Sequence, residues 1–202
     1  MRQTLVRIDA SIRQTGSYSR MLGDYFEQKW QTLHPGATLI RHDLQADPPP
    51  HLHAPLANAY FAGDRDHEVL RYSNRLCEEL VQCTDLLITC PMYNFGIPAT
   101  LKNYFDHVVR IRETFQLVAG KGYEGLLKNK KGYLITARGG SRSAAGFDAF
   151  EQYLTGMLAF MGIDDIQLIS MENTQAEQFP GHWPTWFQQQ VDQLLPAPLL
   201  QG

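Results

Sequence analysis

The sequence predicts an α/β protein, a doubly wound five-stranded parallel sheet with helices on both faces. Three observations carry this. Segments of strand spacing and segments of helical spacing alternate along the chain. Every interval between successive strands is long enough for the crossover that parallel neighbours require. The run "DLLITC" at 85–90 is nearly all apolar, as a strand covered on both faces should be.

Each element follows from local pattern. Thr4 to Asp9 is strand-like, with Leu5, Val6 and Ile8. Ser19 to His34 has apolar residues every three or four positions (Met21, Leu22, Tyr25, Phe26, Trp30, Leu33), and Pro35-Gly36 stops it. Thr38 to Leu44 is the second strand. "QADPPPHLHAP" reads as a loop, too proline-rich for regular structure. Asp66 to Val81 is helical, Asp85 to Cys90 is the third strand, and a helix starts at Pro98, where a missing N–H costs nothing. Glu113 to Leu127 reads as a long glycine-bearing connection. Lys131 to Ala137 is the fourth strand, Phe147 to Met161 a helix, Ile166 to Met171 the fifth strand, and Trp183 to Leu195 the last helix.

The totals bound the function class. The 202 residues favour a single domain spanning 1–202, and 44% apolar content supplies a core. A net charge of -3, without runs of like charge, gives no nucleic-acid surface. No apolar run is long enough to span a bilayer, and the N-terminus lacks the apolar stretch of a signal peptide. Cys77, Cys83 and Cys90 form no CxxC pair and read as reduced, inert thiols, so the expected location is cytoplasmic. "HLH" at 51–53 has no suitably spaced third ligand, so no metal is assigned.

In a doubly wound sheet the ligand lies beyond the carboxyl ends of the strands, where the winding reverses. Three loops should converge there. "DASIRQTGSYSR" (9–20) lacks both GxGxxG and GxxxxGK[ST], which argues against dinucleotide and NTP loops. Its Ser11, Ser17 and Ser19, opening a helix, suit a phosphate monoester; capping by Ser17 or Ser19 is the alternative. "PMYNFG" (91–96) offers Met92, Tyr93 and Phe95 as apolar and aromatic surface, with Asn94 as donor and acceptor, fit to cover a flat aromatic ligand; a plain turn is the alternative. "TARGGSRSAAG" (136–146) can present the N–H groups of Gly139 and Gly140 to a ligand edge, with Arg138 as a candidate charge. Ser141, Arg142 and Ser143 form a polar patch that reads better as solvated loop than as a phosphate contact.

Together these loops resemble the FMN-dependent NADH azoreductase and NADH:quinone oxidoreductase family of flavodoxin-like flavoproteins. The resemblance covers nearly the whole chain; "PMYNFGIPATLKNYFDHVVR" (91–110) is its most specific part and "ITARGG" (135–140) the next. It implies a flavodoxin-like fold and one noncovalent FMN per subunit. The phosphate would lie at Ser11, Ser17, Tyr18 and Ser19, and the flavin rings at Pro91, Met92, Tyr93, Asn94 and Phe95. The pyrimidine edge would meet Ala137, Arg138, Gly139 and Gly140. It also implies a homodimer, a substrate pocket touching Leu117 and Phe160, and two-electron ping-pong transfer from NADH or NADPH to quinones and aromatic azo compounds. No side-chain acid or base is assigned. The chain departs from the family pattern at Ala137, where serine is common, and at Leu117, where an aromatic is common; both bear on substrate range. The competing readings are a one-electron flavodoxin-type carrier and a non-catalytic flavin-binding sensor.

Overall fold

A computed structural model describes residues 2–63, 65–142, 149–175 and 183–196. The strands are β1 (Thr4–Asp9), β2 (Thr38–Asp43), β3 (Asp85–Pro91), β4 (Phe115–Val118), β5 (Gly122–Gly125), β6 (Lys131–Ala137) and β7 (Asp165–Met171). The helices are α1 (Tyr18–Leu33), α2 (Ala54–Ala62), α3 (Arg71–Gln82), α4 (Ala99–Val108), α5 (Phe150–Met161) and α6 (Trp183–Leu194). The main sheet is parallel throughout, in the order β2-β1-β3-β6-β7. Winding reverses between β1 and β3, so a crevice is expected at their carboxyl ends.

All seven residues of β3 are buried, which is why its sequence is nearly continuous in apolar residues. On one face of the sheet, Leu22, Phe26 and Trp30 of α1 and Val191 of α6 pack with Leu5, Leu87, Ile135 and Ile169. On the other, Leu76 and Leu80 of α3, Leu101 and Phe105 of α4, and Leu154 and Leu158 of α5 pack with Val6, Ile8, Ile88 and Leu134. Helices therefore cover both faces, as the alternating pattern predicts.

Several boundaries differ from expectation. The proline-rich segment ends in a helix: Pro55 sits in the first turn of α2, where its missing N–H is harmless, and His53 accepts a hydrogen bond from Leu56 N as cap. The helix expected from Asp66 begins as a short 3-10 turn (Glu68–Leu70) before α3. Pro98 caps α4 from outside, and Ala99 is the first helical residue. The glycine-bearing connection folds into an antiparallel hairpin, β4–β5. It meets α5 through backbone: Leu127 N donates to Met161 O (2.8 Å). Phe147, the expected start of the helix ending at Met161, lies outside the described residues, and α5 is described from Phe150.

Candidate functional site

The first loop leaves β1 pinned on both sides: Ala10 N donates to Thr89 O (2.9 Å) and Leu44 N to Asp9 O (3.0 Å). It then runs into α1. Ser17 occupies the N-cap position, but its side chain makes no capping hydrogen bond. Its hydroxyl lies 3.3 Å from that of Ser19, and both residues are buried. Ser17 therefore does not cap α1 through its side chain. Two hydroxyls and a helix start face the same space, where an oxyanion would be stabilised. Ser11 Oγ accepts from Arg13 N (3.2 Å) and lies 3.4 Å from Tyr93 Oη.

The second loop is a tight reversal. Tyr93 and Gly96 exchange backbone hydrogen bonds, each 3.0 Å. The two residues between them have positive φ, 49° at Asn94 and 64° at Phe95. That is the pattern of a type I′ turn, natural for Asn and strained for Phe. Phe95 is 54% exposed, so little burial offsets the strain. Such strain at a bulky exposed residue is a mark of functional sites.

The third loop is held from β7. Thr174 N and Oγ1 donate to Arg138 O (3.1 and 3.0 Å), Gln175 N to Gly139 O (3.4 Å) and Asn173 N to Gly140 O (3.1 Å). Among the described residues the N–H groups of Gly139 and Gly140 donate to none. The Arg138 side chain turns inward: it is 1% exposed, 3.1 Å from Glu151 Oε1, and stacks over the Phe150 ring. Its guanidinium is therefore a support beneath the loop and not a group lining the cleft. Burial pushes the Glu151 carboxyl up, but hydrogen bonds from Ser170 and Thr136 and the Arg138 and Arg142 charges outweigh it and hold it below the usual range.

A cleft of about 220 Å³ unites the loops. Ser11, Ser17, Tyr18, Ser19, Pro91, Met92, Tyr93, Ala137 and Gly139 line it. Asn94, Phe95 and Gly140 lie beside it in the same loops. A larger cavity, about 520 Å³, lies at the opposite end of the sheet among Thr84, Lys131 and Tyr133, away from these groups. Ile12, Arg13 and Gly16 of the first loop also line the smaller cleft, the first two without an expected role, and sequence reasoning missed Thr174 and Gln175 altogether. The β7 loop could have been found, since its strand ends beside the one that carries Gly139. Leu117 and Phe160 are not in this cleft. Phe160 packs with Phe115 (4.8 Å between centroids) and Tyr123 (5.7 Å), while Leu117 is exposed on the hairpin.

Other candidates have structural places. The three cysteines are buried, and burial pushes Cys77 up to about 12, Cys83 up to about 11 and Cys90 well up. His51 lies 3.2 Å from Asn103 Oδ1, while His53 caps α2. Arg142 is committed to Glu151 and Glu172; Ser143 lies outside the described residues. No helix among the described residues is long and apolar enough to cross a membrane.

The fold and cleft define a doubly wound α/β protein with a crevice suited to a flat, phosphate-bearing ligand. Residues 3–184 match the family described as flavodoxin-like fold. The chain is 41% identical over 170 residues to the FMN-dependent NADH:quinone oxidoreductase 2 of Pseudomonas fluorescens, covering 82% of this chain and 85% of that one. It is 42% identical over 176 residues to the FMN-dependent NADH:quinone oxidoreductase of Xanthobacter autotrophicus, covering 82% and 84%. An azoreductase from Bacillus anthracis superposes with a TM-score of 0.82 at 23% identity, over 96% of this chain and 97% of that one. The chain belongs to the flavodoxin-like family that contains the FMN-dependent NADH:quinone oxidoreductases.

Proposed function

We propose that this chain is an FMN-dependent NADH:quinone reductase that also reduces aromatic azo compounds. The observation that carries it is the meeting, in one cleft at the winding reversal, of three loops with the donors FMN needs. The fit is specific. The Ser17 and Ser19 hydroxyls, uncommitted to capping, and Ser11 Oγ suit the phosphate. Met92 and Tyr93 with the strained Phe95 supply ring surface. Gly139 and Gly140 offer N–H groups whose own carbonyls are already taken by the β7 loop, as the pyrimidine edge requires.

FMN held there by Ser11, Ser17 and Ser19 would supply the redox chemistry, a two-electron transfer from reduced nicotinamide to the acceptor. The protein's part is to hold the phosphate, to orient the rings, and to place N–H groups where negative charge grows. No side chain in the cleft is placed as an acid or base. A single cleft serving donor and acceptor in turn implies ping-pong kinetics. NADH is the donor in the relatives' names; relative rates with NADPH test that choice. A cytoplasmic homodimer is part of the proposal. Leu117 and Tyr123, cross-strand partners on the hairpin and 64% and 67% exposed, support a covered hairpin face.

The test is direct. Purified protein is loaded with FMN, freed of excess, and titrated with NADH without oxygen. Retained flavin bands that bleach in one two-electron step support the proposal. A protein that keeps no flavin, or initial-rate lines that intersect, would overturn the reading or its kinetic part respectively.

A further inference from the structure

Beneath the first loop lies a buried ion network that the flavin reading does not use. Arg20 in the first turn of α1 is 9% exposed. Its NH2 donates to Ser11 O (2.7 Å) and to Asp43 Oδ1 (2.7 Å), and its NH1 to Asp43 Oδ2 (2.9 Å). Asp9 Oδ2 lies 3.7 Å from the same NH1. Asp9 is itself fixed by Thr89 Oγ1 (2.7 Å) and Arg7 Nε (3.1 Å). Asp43 also accepts from Gln45 N (3.0 Å) and Ala46 N (3.3 Å). Arg20 therefore holds a loop carbonyl while both oxygens of its partner Asp43 are themselves hydrogen-bonded.

The consequence follows from the peptide plane. In a trans peptide the C=O and the next N–H point in opposite directions. A Ser11 carbonyl drawn inward by Arg20 turns the Ile12 N–H outward. The structure has that arrangement: Ile12 N donates to Tyr93 Oη in the cleft (3.3 Å), beside Ser11 Oγ. These are long contacts to a neutral hydroxyl, and a charged oxygen would displace them.

We infer that Arg20, held by Asp43, is a positioning residue that aims the Ile12 amide and Ser11 Oγ at the flavin phosphate. This rests on the phosphate reading of the first loop. Arg20 touches no ligand; it fixes the orientation of groups that do. A lysine cannot replace it, because a single ammonium lacks the planar fork that spans a carbonyl and both carboxylate oxygens.

The probe pair is FMN and riboflavin, which differ only in the phosphate. Their dissociation constants are measured by quenching of flavin fluorescence with unaltered protein, Arg20→Lys and Asp43→Asn. Asp43→Asn keeps the arginine and the side-chain shape, and serves if Arg20→Lys fails to fold. FMN affinity should fall about tenfold, or about 1.4 kcal/mol, with riboflavin affinity changed less than about twofold. A parallel loss of both flavins would assign Arg20 a general structural role and overturn the inference. So would an unchanged preference for FMN in both variants. If the unaltered protein bound both flavins equally, the phosphate reading itself would fall, and the inference with it.

Discussion

Glutamine at Glu151 would remove a charge from beneath the third loop and leave nearly the same shape. The carboxylate is 6% exposed, accepts from Thr136 Oγ1 (2.6 Å), Ser170 Oγ (2.6 Å) and Arg142, and forms an ion pair with Arg138 NH2 (3.1 Å). Arg142 is half exposed and accounts for at most about 1 kcal/mol. Arg138 is buried, and removing the partner of a buried charge costs roughly 3–5 kcal/mol. The amide retains a hydroxyl acceptor, so the low end, about 3 kcal/mol, is expected for Glu151→Gln. That corresponds to a fall of about 6–12 °C in Tm for a domain of this size. The assay is urea unfolding of the flavin-free protein at neutral pH, with the slope checked for constancy. Arg138→Met and the double variant complete the cycle. The double variant should be less destabilised than the sum of the singles by about 2–3 kcal/mol, because it leaves no buried charge unpaired. Single costs under about 1 kcal/mol, or simple additivity, would refute the pairing. Acidification supplies a second check. A carboxyl held below its ordinary value stabilises the fold fully above its unfolded pKa of about 4.3, and that contribution is lost as pH falls through the folded value. The gap between wild type and Glu151→Gln should stay constant from neutral to about pH 5 and narrow below it.

Three further outcomes follow from specific contacts. Ser17→Ala should weaken FMN about tenfold, the loss of one hydrogen bond of about 1.4 kcal/mol, at little cost to stability since Ser17 makes no capping bond; unchanged FMN affinity would remove it from the site. Phe95→Gly relieves a φ of 64°, about 1–2 kcal/mol. Against that stands a glycine entropy cost of about 0.5–1 kcal/mol, so stability should rise while FMN affinity falls; a drop in urea midpoint would show the ring to be packed. Gly125→Ala would drive a Cβ into Gly162 N and Met161 C, backbone atoms that no rotamer change can clear. A loss of about 1–3 kcal/mol is expected, and a neutral Gly125→Ala would mean that the hairpin does not seat against α5 as described.

The sheet was legible because burial on both faces leaves a composition signal, as in β3, and because α1 and α3 each bury one stripe. The missed elements lack that signal. The strand β5, "GYEG", is exposed except at Gly125, and its pairing depends on a backbone approach to α5 that glycine permits but does not announce. In "APLANAYFA" of α2 only Leu56 and Ala59 are buried and apolar residues lie all round, so no face stands out. The three prolines at 48–50 pointed to a loop, while Pro55 was acting as a helix-starting residue. For the site, residue types in the three loops were readable as ligand chemistry. The direction of Arg138 was not, because its partner Glu151 sits on the next helix and the pairing is a tertiary fact.

The cleft residues that sequence reading finds and the supports that it misses are two halves of one constraint. A loop that presents N–H groups to a ligand must turn carbonyls the other way, and a carbonyl turned into the protein needs a donor there. In the first loop the inward carbonyl is Ser11's, and the donor is Arg20. In the third the inward carbonyls belong to Arg138, Gly139 and Gly140, and the donors are Thr174, Gln175 and Asn173. The second loop needs no such support, because Tyr93 and Gly96 satisfy each other across the turn and Met92 N donates to Ala137 O (2.8 Å). Cleft-facing groups announce themselves by type, since serines and paired glycines in a strand-to-helix loop are few. Their supports need only be donors at the right place, and almost any residue has one, so position alone identifies them. Variants that alter those supports should therefore change flavin binding without touching flavin, and Arg20 and Asp43 are where that separation between contact and orientation is most cleanly measured.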